Sequence, residues 1–183
     1  LHAHAEICFD TETTGLDANG CEIDGMSFSV VKGEAYYVPC PDDRVETIKV
    51  LQAFAPLFQD EKITWIGQNI KFDLLVLKNY GFEFAGKIFD TMLAHFVIEP
   101  EGKRSMDALS EKYLEYAPIS IETLIGKKGK GQGTMRDVEI EVIKEYAAED
   151  ADITLQLKEA FLPLLVENKV EKVFYEVDAP LVK

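Results

Sequence analysis

The chain has 183 residues, enough to close one well-packed core and too few for a second catalytic unit of several hundred residues. A hydrophobic share of 47% and a charged share of 28% belong to a globular domain, which excludes a wholly disordered, collagen-like or disulfide-scaffold chain. With 19 basic against 33 acidic residues the net charge is −14, so nucleic acid would have to be delivered by bound cations, a local basic patch or a linked partner.

The start carries neither the basic flank nor the apolar stretch of a signal peptide. No apolar run reaches the roughly 18 residues that predict a transmembrane helix. The chain lacks an initial Met and is expected to be an excised piece, with residues 1–5 foreign to the domain. Cys8, Cys21 and Cys40 are odd in number and form no CxxC, which predicts buried thiols in a reducing cytoplasm rather than a disulfide framework or a zinc site.

The first third reads as strands. Residues 6–9 are short and apolar and end at Asp10. Residues 21–31 form a second strand, Lys32 and Gly33 a turn, and residues 34–38 the return, so an antiparallel meander is predicted. Apolar residues at spacing three to four predict a helix over 45–58, followed by a β-rich run over 63–67. A helix over 69–80 stops at Gly81, and Ile88 and Phe89 form a short strand or lead into a helix over 91–98.

The second half reads as helical. Ser105 is the expected N-cap of a helix over 106–116, and Ser120 starts a short helix ended by Gly126. GKKGKGQG (126–133) cannot pack a core and reads as a mobile basic loop carrying Lys127, Lys128 and Lys130. A long helix runs from Asp137 to about Glu167, bent near Pro163, and an amphipathic tail over 169–177 stops at Pro180. An antiparallel meander followed by alternating helices and strands predicts a mixed α/β sheet with helices packed on it.

Acids are common enough here for an acid-x-acid triple to arise by chance, so Asp10-Thr11-Glu12 draws its meaning from its place. Residues i and i+2 of a strand share a face, and two adjacent carboxylates repel unless a cation sits between them. Asp73 stands among apolar Phe72, Leu74 and Leu75, and Tyr146 and Asp150 share a helix face across the small Ala147 and Ala148. His95 reads as a core or surface histidine rather than a ligand.

Three segments, FDTETTGL (9–16), GQNIKFD (67–73) and YAAEDADITLQL (146–157), resemble the three exonuclease motifs of the DEDD superfamily, tyrosine type. More closely, the chain is similar to the 3′→5′ exonuclease domain of bacterial DNA polymerase I. FDTML (89–93) and the stretch around Met106, Asp107, Ala108 and Leu109 also look like that family, and the similarity runs over about residues 6–165 in family order. Position 145 is Glu, where the histidine-type branch would need His.

The resemblance implies a ribonuclease-H-like fold, with a mixed five-stranded sheet whose first three strands are antiparallel. It implies two divalent metal ions, Mg2+ or Mn2+, with Zn2+ admissible at one site. Asp10 would bridge both ions. Glu12 and Asp150 would complete the first, and Asp73 would hold the second, partly through water. Tyr146 would orient the attacking water. Leu16 would wedge against the terminal bases. Gln68, Asn69, Lys71 and Phe72 would line the strand, and Lys103 or Arg104 would touch phosphate. Ile121 stands where relatives carry an aromatic wedge.

The implied activity is metal-dependent 3′→5′ hydrolysis of single-stranded or frayed DNA to 5′-mononucleotides, proofreading for a covalently linked polymerase. Residues 1–183 would then be one exonuclease domain, a monomer without membrane contact in a bacterial cytoplasm near the nucleoid, with 170–183 starting the linker to the next domain. The alternatives are a catalytically silent module of a polymerase and a ribonuclease D-like exoribonuclease.

Overall fold

The computed structural model describes every residue except His2, Lys128, Lys130 and Lys183. Five strands form one sheet: β1 (Glu6–Thr13), β2 (Ile23–Val31), β3 (Glu34–Pro39), β4 (Thr64–Gly67) and β5 (Lys87–Asp90). Their order is β3-β2-β1-β4-β5. The first three strands are antiparallel, and β4 and β5 continue the sheet in parallel with β1. The helices are α1 (Arg44–Phe58), α2 (Lys71–Asn79), α3 (Thr91–Ile98), α4 (Met106–Leu114), α5 (Ile121–Ile125) and α6 (Ile140–Glu167). This is the mixed α/β sheet the sequence predicts.

Alternation along β1 divides the core. Ile7 and Phe9 face one cluster with Leu51, Phe58, Trp65 and Val76, which α1 and α2 close. Cys8 faces the other, with Ile66, Phe89, Leu109, Leu157 and Phe161, which α3, α4 and α6 close. Because Asp10 and Glu12 continue the parity of Cys8, both carboxylates point to the α6 side of the sheet.

Several boundaries differ from the sequence expectation for local reasons. β1 does not end at Asp10; its ladder with β2 continues through Glu12↔Gly25 to Thr13↔Ile23. The second helix starts at Lys71, because Asn69 takes a left-handed φ of 58°. Likewise α4 stops at Leu114, since Glu115 has φ 54°. Asp137 belongs to a separate 3-10 turn, Met135–Asp137, where it pairs with Thr134 in a capping box; Val138 and Glu139 are extended before α6 begins. Pro163 lies within α6, which runs on to Glu167.

Residues 170–183, expected to lead towards a following domain, lie on the core as far as Val182: Phe174 packs on Phe89 at 4.8 Å, and Val182 is buried. Cys8 and Cys21 are buried thiols and Cys40 is half-buried. His95 is buried, its Nε2 3.1 Å from the Tyr113 hydroxyl, as a core histidine. Among the described residues no helix is long and apolar enough to cross a membrane.

Candidate active site

Asp10 and Glu12 on β1 meet Asp150 on α6. One carboxylate oxygen from each lies within 4.8 Å of the other two. Glu12 and Asp150 are buried and Asp10 is half-buried. Alternation on β1 makes the first pair, and the small Ala147 and Ala151 on the inner face of α6 admit the third. Tyr146, one turn before Asp150, brings its hydroxyl to the Asp150 carboxylate.

Asp73 stands outside this triple and is held differently. β4 pairs with β1 only as far as Cys8↔Ile66, which leaves the edge of β1 free beyond that point. Asp73, in the first turn of α2, fills the gap: its Oδ1 accepts the Thr11 N–H at 3.0 Å and the Thr11 hydroxyl at 2.5 Å. Thr11 lies between the two acids of β1, so Asp73 is tied to the residue separating Asp10 from Glu12. The charge on Asp10 raises the Asp73 pKa, second only to burial, which marks the two carboxylates as electrostatic neighbours.

The field of the cluster follows from its burial. Desolvation pushes Asp10 up from 3.8 to about 7. Glu12 is held well above its ordinary value by burial and then by the charges of Asp10 and Asp150. Asp150 is raised by burial and by Asp10, against a lowering contribution from Tyr146. The Tyr146 phenol rises through burial and the neighbouring carboxylates, so it stays protonated at neutral pH. Four mutually repelling carboxylates that resist ionisation are the electrostatic signature of a cation site.

The side chains expected along a nucleic-acid strand fare unequally. Leu16 is 87% exposed on the turn after β1. Asn69, Lys71 and Lys103 are exposed, while Phe72 packs partly against the α1/α2 core. Gln68 is committed internally: its Nε2 donates to the Arg104 carbonyl at 2.8 Å, and its Oε1 accepts from the Thr91 hydroxyl at 2.5 Å. The Arg104 guanidinium donates to the Pro100 carbonyl at 2.7 Å and lies over the Phe96 ring. Ile121 is 40% exposed. The loop before it is latched to α6 by Glu149, which accepts from the Tyr116 hydroxyl and the Ile119 N–H. Lys127 is exposed, and Lys128 and Lys130 lie outside the described residues.

Sequence reasoning missed Thr11, because a threonine inside a strand carries no signal of its own. It also missed Tyr37. A Cβ on Gly25 would fall 2.1 Å from the Tyr37 hydroxyl, so the ring lies over the glycine that pairs with Glu12 across the ladder. A cavity of about 790 Å3, lined by Glu6, Thr64, Lys87, Lys158 and Tyr175, opens at the starts of β4 and β5 and contains none of the catalytic candidates.

Thr11→Val keeps the backbone donor and removes the hydroxyl. Loss of such a supporting hydrogen bond is expected to reduce nuclease activity by about 10–100-fold. Steady-state rates beside an unchanged circular dichroism spectrum check it; an unaltered rate would show that the backbone donor alone suffices.

Residues 1–166 match the 3′-5′ exonuclease domain family of A-type DNA polymerases. The chain belongs to this family. It is 39% identical over 186 residues to DNA polymerase I of Pseudomonas aeruginosa, matching 96% of this chain and 20% of that protein. The chain thus spans about a fifth of the length of such relatives. Among solved structures, Brucella melitensis NrnC with bound Mg2+ superposes with a TM-score of 0.75 at 20% identity, over 94% of this chain and 79% of the other. Escherichia coli RNase D, an exoribonuclease involved in structured RNA processing, gives 0.70 at 16% identity, over 98% and 44%. At these identities the likeness is one of fold, and the fold is that of the ribonuclease-H-like exonucleases.

Proposed function

We propose that residues 1–183 form one exonuclease domain of a longer bacterial DNA polymerase. It hydrolyses the 3′-terminal phosphodiester of single-stranded or frayed DNA, releases 5′-mononucleotides and proofreads for the linked polymerase. The observation that carries the reading is the convergence of Asp10, Glu12 and Asp150 in a buried cluster, with Asp73 beside Asp10, in a chain of the exonuclease family.

An all-carboxylate donor set suits a hard divalent cation, Mg2+ or Mn2+, with Zn2+ admissible at the site of higher carboxylate density. Asp10, Glu12 and Asp150 would hold one ion, and Asp73 with Asp10 a second. When bound, such a pair supplies an activated water and neutralises charge on the leaving oxygen. The protein's share is positioning. Thr11 fixes Asp73 against β1. Tyr146 keeps its phenolic proton, which it donates to Asp150, and its oxygen is left to accept from and orient the attacking water; un-ionised at neutral pH, it does not serve as the base. Leu16 and Ile121 offer exposed apolar contacts for the unstacked terminal bases. With a net charge of −14 the domain would depend on the tethered polymerase to present DNA, as a monomeric unit in the cytoplasm.

The test is digestion of 5′-labelled single-stranded DNA and RNA of one sequence with Mg2+ or Mn2+. A ladder shortening from the 3′ end on DNA, absent with EDTA, is the expected result. A strong preference for RNA would move the assignment to an exoribonuclease, and inert, folded protein would leave a silent polymerase module.

A further inference from the structure

We infer that Asp90 is a positioning residue that sets the start of α2 and thereby the placement of Asp73. The inference rests on the proposed nuclease reading for its functional meaning and on geometry for its structural content.

Asp90 ends β5 and is 1% exposed. Its two oxygens accept four backbone N–H groups, two from the first turn of α3 and two from the residues that lead into α2. Oδ1 accepts from Met92 at 2.9 Å and Leu93 at 3.1 Å, the N-cap of α3, and from Asn69 at 3.3 Å. Oδ2 accepts from Ile70 at 2.9 Å. Ile70 is the N-cap position of α2 and supplies no side-chain cap itself. A single buried carboxylate therefore caps α3 directly and the start of α2 from the adjoining strand, where Asp90 pairs with Gly67.

The neighbouring residue reinforces the tie, because the Thr91 hydroxyl contacts the Gly67 carbonyl at 3.1 Å and Gln68 Oε1. The turn between β4 and α2 holds Asn69 in its left-handed conformation and is thus anchored to the β5–α3 junction. Asp73 lies in the first turn of α2, and its Oδ1 must meet two donors of Thr11. Moving the first turn of α2 moves that carboxylate relative to Asp10. FDTML belongs to this arrangement: Asp90 and Thr91 support the acid on another helix.

The two oxygens do different work, which makes the inference testable by a one-atom change. In Asp90→Asn the amide oxygen keeps the place of Oδ1, since the reverse orientation would set the NH2 against three donors. The amide nitrogen then faces the Ile70 N–H, donor against donor. Asn is as good an N-cap as Asp, so α3 keeps its cap while α2 loses its own. Asp90→Ser also caps α3 and is too short to reach Ile70, and it serves if the first variant fails to fold.

The experiment is amide hydrogen exchange on wild type and both variants, joined to Mn2+ titration by calorimetry. Expected are exchange at Ile70 accelerated by about tenfold or more, and unchanged protection at Met92 and Leu93, whose acceptor oxygen both variants keep. The Mn2+ site that depends on Asp73 should weaken by about 10–100-fold, as for other supporting residues, with the other site within about twofold. Unchanged exchange at Ile70, equal loss of protection in both helices, or equal weakening of both sites would overturn the inference. Should wild type bind fewer than two Mn2+ ions, the two-ion reading of the site without DNA fails, and the exchange pattern still decides whether Asp90 sets α2.

Discussion

Asp10→Ala is expected to abolish nuclease activity while making the metal-free protein more stable. The loss should reach about 10²–10³-fold or more, the scale on which removal of a preorganised electrostatic contact slows an enzyme. The gain has a separate cause. Asp10 faces Glu12 and Asp150 within one cluster and raises the pKa of Glu12, Asp73 and Asp150 alike, so it is the common source of repulsion among four acids. Replacing whole buried ion pairs by well-packed apolar residues is neutral or stabilising by about 1–4 kcal/mol in other proteins, and the charge removed here faces like charges rather than a partner, so the sign should be the same. At this size each kcal/mol is worth roughly 2–4 °C in Tm. Thermal melts in EDTA, run beside the rate assay, check both halves. A melting temperature that falls with activity would mean Asp10 is needed for folding and would remove the case for a strained cation site.

The same cluster shows what the sequence discloses and what it withholds. The mixed sheet was legible in outline because the meander, its Lys32-Gly33 turn and the later alternation of helix and strand are local patterns, while the strand order β3-β2-β1-β4-β5 comes from the structure alone. Asp10 and Glu12 were legible as a pair because strand parity alone puts them on one face, and Tyr146 and Asp150 because helix parity does the same. The extent of β1 was not legible: Asp10 looks like a strand end in sequence, and only its ladder with β2 carries the strand to Thr13. Nor was the unequal footing of the four acids. Asp73 joins the site through Thr11, a contact between residues 62 apart that no periodicity encodes. Gln68 and Arg104 illustrate the converse. Both are suited to nucleic acid by type, and no local pattern reveals that the Gln68 amide also meets Thr91 and the Arg104 carbonyl or that one Arg104 N–H meets Pro100, contacts that brace the start of α2 against the loop before α4.

The second large effect is a linkage between protons, metal and stability. Asp10 titrates near 7 in the folded chain against an ordinary 3.8, and Glu12, Asp73 and Asp150 are displaced in the same direction by burial and mutual repulsion. The folded state therefore holds protons that the unfolded chain has released. The associated stability is full below about pH 4 and is lost as pH rises through about 7. In EDTA the melting temperature should fall between about pH 5 and about pH 8. His95 acts in the opposite sense, since burial lowers its pKa and the unfolded chain takes up its proton as pH drops through 6.5. That contribution is independent of metal and cancels when curves with and without metal are subtracted. A divalent cation replaces the protons. At 100 times its dissociation constant it should stabilise by about 2.7 kcal/mol near pH 8, an effect that fades towards pH 5 as protons compete for the same oxygens. The difference curve should thus open with rising pH. Parallel curves with and without Mn2+ would place the cation elsewhere than among these four carboxylates. A difference curve that opens in wild type and stays flat in Asp10→Ala would tie the proton release to the residue that the three other acids share as a neighbour.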